Sequence, residues 1–160
     1  MKEYTKDFSW KVYGFDELDA NDRNLIEAAK DATNGSHSPY SNFKVGAAVL
    51  LADGNIVTGS NQENAAYPSG LCAERTALFA ACHNHPERRI AALAIAARNS
   101  QGWTDLPITP CGACRQVMAE IESFFGTPIR TLLYGKQETI VIENGASTLL
   151  PFCFGAKSME

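Results

Sequence analysis

Ile90-Ala91-Ala92-Leu93-Ala94-Ile95-Ala96-Ala97 is a stretch of eight residues without one polar side chain. A continuous apolar run of this length fits a strand buried on both faces, which needs helices above and below it. Such helices flank it in the sequence. Leu71 to Cys82, rich in Ala and Leu, reads as one helix, and Cys111 to Phe125, opened by Pro110 and stopped at Gly126, reads as another. Further upstream, Phe43 to Leu51 and Ile56 to Gly59 bracket Asp53-Gly54 as a two-stranded hairpin. Downstream, Ile129 to Tyr134 and Thr139 to Ile142 read as two more strands. Between Phe15 and Thr33 the apolar residues Leu18, Leu25, Ile26, Ala28 and Ala29 recur at helical spacing, giving a first helix that starts near Glu17 and ends at Asn34-Gly35. The resulting order, α-β-β-α-β-α-β-β, predicts the α/β class, with a mixed sheet covered by helices on both faces.

The chain has 160 residues, 45% of them hydrophobic and 20% charged, enough for one compact domain with a core and too few for two ordinary ones. No repeat, low-complexity tract or interdomain linker interrupts it. Its net charge of -4 argues against a polynucleotide substrate or an anionic membrane, because no overall positive field draws it to phosphates. Met1 to Asp16 carries six charges and no apolar run, so it reads neither as a signal peptide nor as a membrane span, and a cytoplasmic location is expected. Residues 1–16 are read as an N-terminal extension without an assigned role, and residues 17–160 as a single domain. Five cysteines with no secretory signal read as reduced thiols or ligands; Cys82 and Cys153 have no evident task.

The other three cysteines lie in two short motifs. Cys111 and Cys114, within Pro110-Cys111-Gly112-Ala113-Cys114, are three apart at a helix start, so their sulfurs share one face and can grip one ion. Taken alone, Cys-x-x-Cys also suits redox proteins and structural zinc knuckles. Cys72-Ala73-Glu74-Arg75 adds a third thiolate and a carboxylate two residues from it. At a helix N-terminus both side chains can converge beyond the helix end, where the helix dipole favours thiolates. Three thiolates leave the fourth position of a tetrahedral zinc ion free, and a nearby acid that is not a ligand makes the arrangement a water activator. Cys-x-Glu followed by Pro-Cys-x-x-Cys is the order described for zinc deaminases. Three thiolates also overcharge the metal, and Arg75, three residues after Cys72, is placed to donate to the sulfurs and offset that charge. Arg115 is a second candidate for this role. His83 and His85, beside Cys82, end a helix before Pro86 and read as surface residues favourable to the helix dipole.

Beyond these motifs the chain resembles the small, homotetrameric cytidine deaminases that act on free nucleosides. The resemblance runs through Ser38-Pro39-Tyr40-Ser41-Asn42-Phe43-Lys44-Val45-Gly46-Ala47-Ala48, Asn61-Gln62-Glu63-Asn64-Ala65-Ala66-Tyr67, Cys72 to Leu78, Pro110 to Val117 and Leu149-Leu150-Pro151. These stretches follow the family's order over roughly residues 17 to 155, and several motifs in register are more specific than any one. Cys72 as first ligand also favours nucleosides, since nucleotide and polynucleotide deaminases usually carry His there.

The resemblance implies a three-layer α/β/α sandwich with a five-stranded mixed sheet, one Zn²⁺ per chain on Cys72, Cys111 and Cys114, and Glu74 as the catalytic proton carrier. It further implies that Phe43 packs beside the pyrimidine, that Asn61 and Glu63 hold the ribose 3′-hydroxyl, and that the Ala73 N–H binds the base carbonyl. The Thr109 carbonyl would hold the departing amino group. Tyr67 and Phe154 would complete the pocket of a neighbouring subunit in a homotetramer. The implied activity is hydrolytic deamination of cytidine and 2′-deoxycytidine in pyrimidine salvage, with no nucleic acid or membrane partner. The chain departs from the family pattern at Met1 to Asp16, at Gln62 where an apolar residue is usual, and in the aromatic tail Phe152-Cys153-Phe154. A zinc or thiol-redox module without catalysis would leave Asn61, Glu63 and Glu74 unexplained. An editing deaminase would call for a basic, aromatic-lined surface that the sequence does not display.

Overall fold

The computed structural model describes residues 1–5 and 7–159. Strands β1 (Lys11–Tyr13), β2 (Lys44–Leu51), β3 (Ile56–Ser60), β4 (Ile90–Asn99), β5 (Gly102–Trp103), β6 (Arg130–Tyr134) and β7 (Thr139–Ile142) form one sheet. Its order is β1-β7-β6-β4-β2-β3, with β5 paired to β4. Of the strand pairs among the described residues, only β4–β6 is parallel. Three helices, α1 (Ala20–Ala32), α2 (Ala73–Asn84) and α3 (Gly112–Phe125), cover it.

Alternation along the central strands sorts the core into two halves. Ala47, Val49, Leu51, Leu93, Ile95 and Leu133 face a cluster containing Ala77, Leu78 and Met118 of α2 and α3. Ala48, Ala92, Ala94, Ala96 and Leu132 face Leu25, Ile26 and Ala29 of α1. The eight-residue apolar run is thus covered on both sides, as a β4 that is buried from Ala92 to Ala97 requires. The three-layer sandwich expected from the resemblance is present.

The sheet has seven strands, where five were expected. The additional two are β1 and β5, of three and two residues, too short to show a period of their own. β1 exists because β7 offers a free antiparallel edge, on which Lys11 stands opposite Val141. The first helix begins at Ala20, not near Glu17, because the Asp19 side chain accepts the Asp22 N–H at 2.9 Å and caps it there. Arg130 of β6 clamps the same helix to the sheet, donating to both oxygens of Asp22 and to Glu143 of the adjoining β7 end. At the far end of α3, buried Glu122 accepts the Ile129 and Ala146 amides at 2.8 and 2.7 Å, and Gly126 closes the helix with φ 67°.

Gly59 sets the distance between β3 and α2. A Cβ there would lie 2.4 Å from the Ala77 nitrogen and 2.9 Å from the Ala73 oxygen, both backbone atoms that cannot rotate away. Gly59→Ala is expected to cost about 3 kcal/mol through overpacking, lowering Tm by roughly 6–12 °C in a chain of this size. Because α2 carries the Cys72 motif, the displaced helix should also bind metal less tightly. A calorimetric scan finding wild-type Tm would contradict this reading of the contact. No helix among the described residues is long and apolar enough to cross a membrane.

Candidate active site

Cys72 and Cys111 are the N-cap residues of α2 and α3, both in extended backbone conformation just ahead of the first turn. This explains why each helix begins one or two residues later than the sequence periodicity suggests. It also brings two helix N-termini, with their free N–H groups, to one place. The Cys72 and Cys111 sulfurs are 3.7 Å apart, those of Cys111 and Cys114 are 3.4 Å apart, and all three lie within 4.8 Å of one another. A tetrahedral ion with Zn–S bonds of about 2.3 Å spaces its sulfurs about 3.8 Å apart. The donor set and its dimensions therefore fit one Zn²⁺ per chain.

Burial grades the three thiols: Cys114 is buried, Cys72 half-buried and Cys111 exposed. The Cys114 thiol and the Arg75 guanidinium pull the Cys72 pKa down to about 5, while burial opposes them. Cys114 moves the opposite way, chiefly because Cys72 beside it takes the negative charge. Arg75 donates from Nη2 to the Cys72 sulfur at 3.7 Å, and this contact holds its own pKa above the usual arginine value. Arg115 is occupied elsewhere. Its guanidinium donates to the carbonyls of Pro110 (2.8 Å) and Leu149 (3.1 Å) and to the Thr109 hydroxyl (3.4 Å), tying the start of α3 to the C-terminal segment.

Glu74, the second residue of α2, is only 4% exposed. Burial raises its pKa first, and the Cys72 thiolate adds to the rise. A carboxyl so placed takes up a proton more readily than one in water, which suits it to carry protons.

A cavity of about 560 Å³ opens on the Cys72 and Arg75 side chains and is also lined by Asn61, Glu63, Tyr40 and Tyr67. Residues Asn61, Gln62 and Glu63 reach it because their backbone is held on two sides. Gln62 and Leu71 exchange amide hydrogen bonds of 2.8 and 2.9 Å, while His37 donates to the Asn61 carbonyl and accepts from the Glu63 amide. The Gln62 side chain turns outward from this ladder and donates to the Gly35 carbonyl at 3.0 Å and the Ser60 hydroxyl at 3.1 Å. A polar residue at this departure from the family pattern therefore fastens the loop after α1.

Of the remaining sequence-derived candidates, Tyr67 lines this cavity and Phe43, Ala73, Thr109 and Phe154 are not among its lining residues. Phe43 is half-buried just before β2, and its carbonyl accepts the Asn61 amide at 2.9 Å. Ala73 is fully buried in the first turn of α2. Phe154 is 63% exposed on the tail, where its carbonyl accepts from Gln116 of α3 at 2.6 Å. Tyr67, 77% exposed, meets Tyr40 edge to face at 6.1 Å. Thr109 is exposed immediately before buried Pro110. His83 lies in the last turn of α2, and His85 caps it through its N–H to the Ala81 carbonyl. Sequence reasoning passed over Ser36, Ser41 and Gln116, whose side chains hold Asn61, Glu63 and the tail. Ser41 and Gln116 lie inside motifs of the family resemblance, but nothing in their spacing marks their partners.

Residues 19–124 match the family model of the cytidine and deoxycytidylate deaminase zinc-binding region. A cytidine deaminase of Halalkalibacterium halodurans is 44% identical over 137 residues, covering 85% of this chain and 96% of the relative. Among solved structures, the cytidine deaminase of Burkholderia pseudomallei is 43% identical with a TM-score of 0.69, covering 82% of this chain and 97% of that one. The cytidine deaminase of Mycobacterium tuberculosis gives 34% identity and a TM-score of 0.65, covering 86% and 99%. The matched span contains every residue of the three-thiol centre, and the chain accordingly belongs to the cytidine and deoxycytidylate deaminase zinc-binding family.

Proposed function

We propose that the chain catalyses hydrolytic deamination of cytidine and 2′-deoxycytidine to uridine and 2′-deoxyuridine, releasing ammonia. The observation that carries this reading is a single cavity lined both by Cys72, one of three converging thiols, and by the polar pair Asn61 and Glu63. Held by Cys72, Cys111 and Cys114, zinc supplies the Lewis acidity that brings the pKa of water toward neutrality. Glu74 takes a proton from the attacking water and passes it to ring N3 as the oxygen bonds to C4. It then takes the remaining proton from the new C4 hydroxyl and delivers it to the amino nitrogen as the C4–N bond breaks, so ammonia leaves and the pyrimidine carbonyl forms. Glu74 has to stay off the metal to move two protons, and its burial beside the cysteines suits that task. Arg75 offsets the surplus negative charge of three thiolates. The Ala73 N–H, a free donor in the first turn of α2, binds the base carbonyl; Phe43 packs beside the ring, and the Thr109 carbonyl receives the departing amine.

Asn61 and Glu63 receive the sugar. Glu63 is kept ionised by donors from Ser41 and Tyr40, and the one cation lining the cavity among the described residues, Arg75, is turned to Cys72. A phosphate dianion would meet a carboxylate there without a free cation to balance it, which favours nucleosides over nucleotides. The exposed rings of Tyr67 and Phe154 support a homotetramer in which each completes a neighbour's pocket. Residues 17–160 are taken as the deaminase unit and residues 1–16 as an extension whose β1 widens the sheet. The family resemblance supports a role in cytoplasmic pyrimidine salvage.

Ammonia release from cytidine, deoxycytidine, cytidine monophosphate and cytosine, measured in parallel, tests the reading. Both nucleosides should turn over, with kcat/KM at least about 100-fold lower for the nucleotide and the free base. Zinc-loaded protein that releases ammonia from none of them would refute it, and preferred turnover of the monophosphate would transfer the assignment to nucleotides.

A further inference from the structure

Glu63 enters the cavity already engaged on both oxygens. Oε2 accepts the amides of Tyr40 and Ser41 at 2.9 and 3.2 Å, and Oε1 accepts the Ser41 hydroxyl. The same hydroxyl oxygen accepts the Phe43 amide at 3.0 Å, so its single proton is committed to Glu63. A carboxylate offers about four lone-pair sites, and three are filled from the loop. Asn61 is filled in the same manner. Its Oδ1 accepts the Ser36 hydroxyl at 2.6 Å and the Val45 amide at 2.8 Å, and its Nδ2 donates to the Phe43 carbonyl, which leaves one N–H. What remains is one acceptor on Glu63 and one donor on Asn61, a combination that a hydroxyl satisfies by donating to the first and accepting from the second.

We propose that Ser41 is the positioning residue of this pair: its hydroxyl locks the Glu63 carboxylate so that one lone pair faces the sugar, and it thereby sets the selectivity for nucleosides bearing a 3′-hydroxyl. The inference rests on the reading that Glu63 binds the sugar. Without the Ser41 hydroxyl, Glu63 Oε1 loses the one side-chain donor it has among the described residues, gains rotational freedom and fills its vacated lone pair with water. A substrate hydroxyl then has to displace that water and fix the carboxylate on binding, so the penalty falls on KM for substrates that use Glu63. Substrates without the hydroxyl never engage it and escape the penalty.

The test compares cytidine with 3′-deoxycytidine on the zinc-loaded wild type, Ser41→Ala and Ser41→Thr. Wild type should disfavour the deoxy analogue by at least about tenfold in kcat/KM, the usual scale for a hydrogen bond to a charged group. Ser41→Ala should raise KM for cytidine by about tenfold while changing kcat/KM for 3′-deoxycytidine less than about twofold, collapsing the discrimination. Ser41→Thr, which keeps the hydroxyl, should restore it. Equal losses on both substrates would mean that Ser41 merely supports the loop and would overturn the inference alone. A wild type that does not distinguish the two substrates would overturn the Glu63 reading and this inference with it. Should the alanine variant fold poorly, Ser41→Cys, close in shape with a much weaker donor, carries the same comparison.

Discussion

Glu74→Gln is expected to retain zinc, fold and nucleoside binding while losing turnover by at least about 10³-fold, within the range that a positioned acid–base group contributes. The glutamine amide matches the carboxylate in shape, so the first turn of α2 and the Cys72 cap need not move. It cannot accept and return a proton. Both proton movements, from water to N3 and from the new C4 hydroxyl to the leaving amine, therefore fail together. Because Glu74 is almost wholly buried, bulk water has poor access to take over the task. The measurement is kcat for cytidine beside metal content and Tm for the same preparation. Stoichiometric zinc with wild-type turnover would remove Glu74 from the mechanism. Loss of zinc along with activity would instead make it a contributor to the metal site.

Cys114→Ser should abolish metal binding more thoroughly than the loss of any other thiol. Its sulfur is the buried member of the three, at the first turn of α3, and a hydroxyl there neither ionises near neutral pH nor matches the softness of a thiolate. Zinc affinity is expected to fall by at least about 100-fold, with activity below about 1% and a lower Tm, because metal binding is coupled to folding. Cys82→Ser and Cys153→Ser supply the comparison, since neither sulfur joins the cluster. Metal content after exhaustive dialysis decides the point. Full zinc in Cys114→Ser, or its loss in Cys153→Ser, would require a different ligand set.

The sheet-and-helix plan was legible from local pattern. Residues 90–97 could be satisfied only by cover on two faces, and Gly126 stopped a helix where its left-handed φ allows a turn that other residues resist. The ligands were legible because coordination demands a fixed residue type at fixed spacing, so Cys72, Cys111 and Cys114 announce themselves without a fold. β1 and β5 were not, because two- and three-residue strands owe their existence to a partner edge and not to their own periodicity. The same limit applies to second partners. Arg115 sits beside a ligand in sequence yet spends its donors on Pro110 and Leu149, and Ser41, 22 residues from Glu63, supplies that carboxylate with a donor.

The sequence by itself determined the class of fold and the three thiols that fit a zinc ion, since burial patterns and ligand chemistry are written in residue types along the chain. Only the tertiary structure decided which donors the polar residues have left to offer. A hydrogen bond saturates its atoms, so the free valences of Asn61 and Glu63 depend on loops brought against them from 16 to 25 positions away.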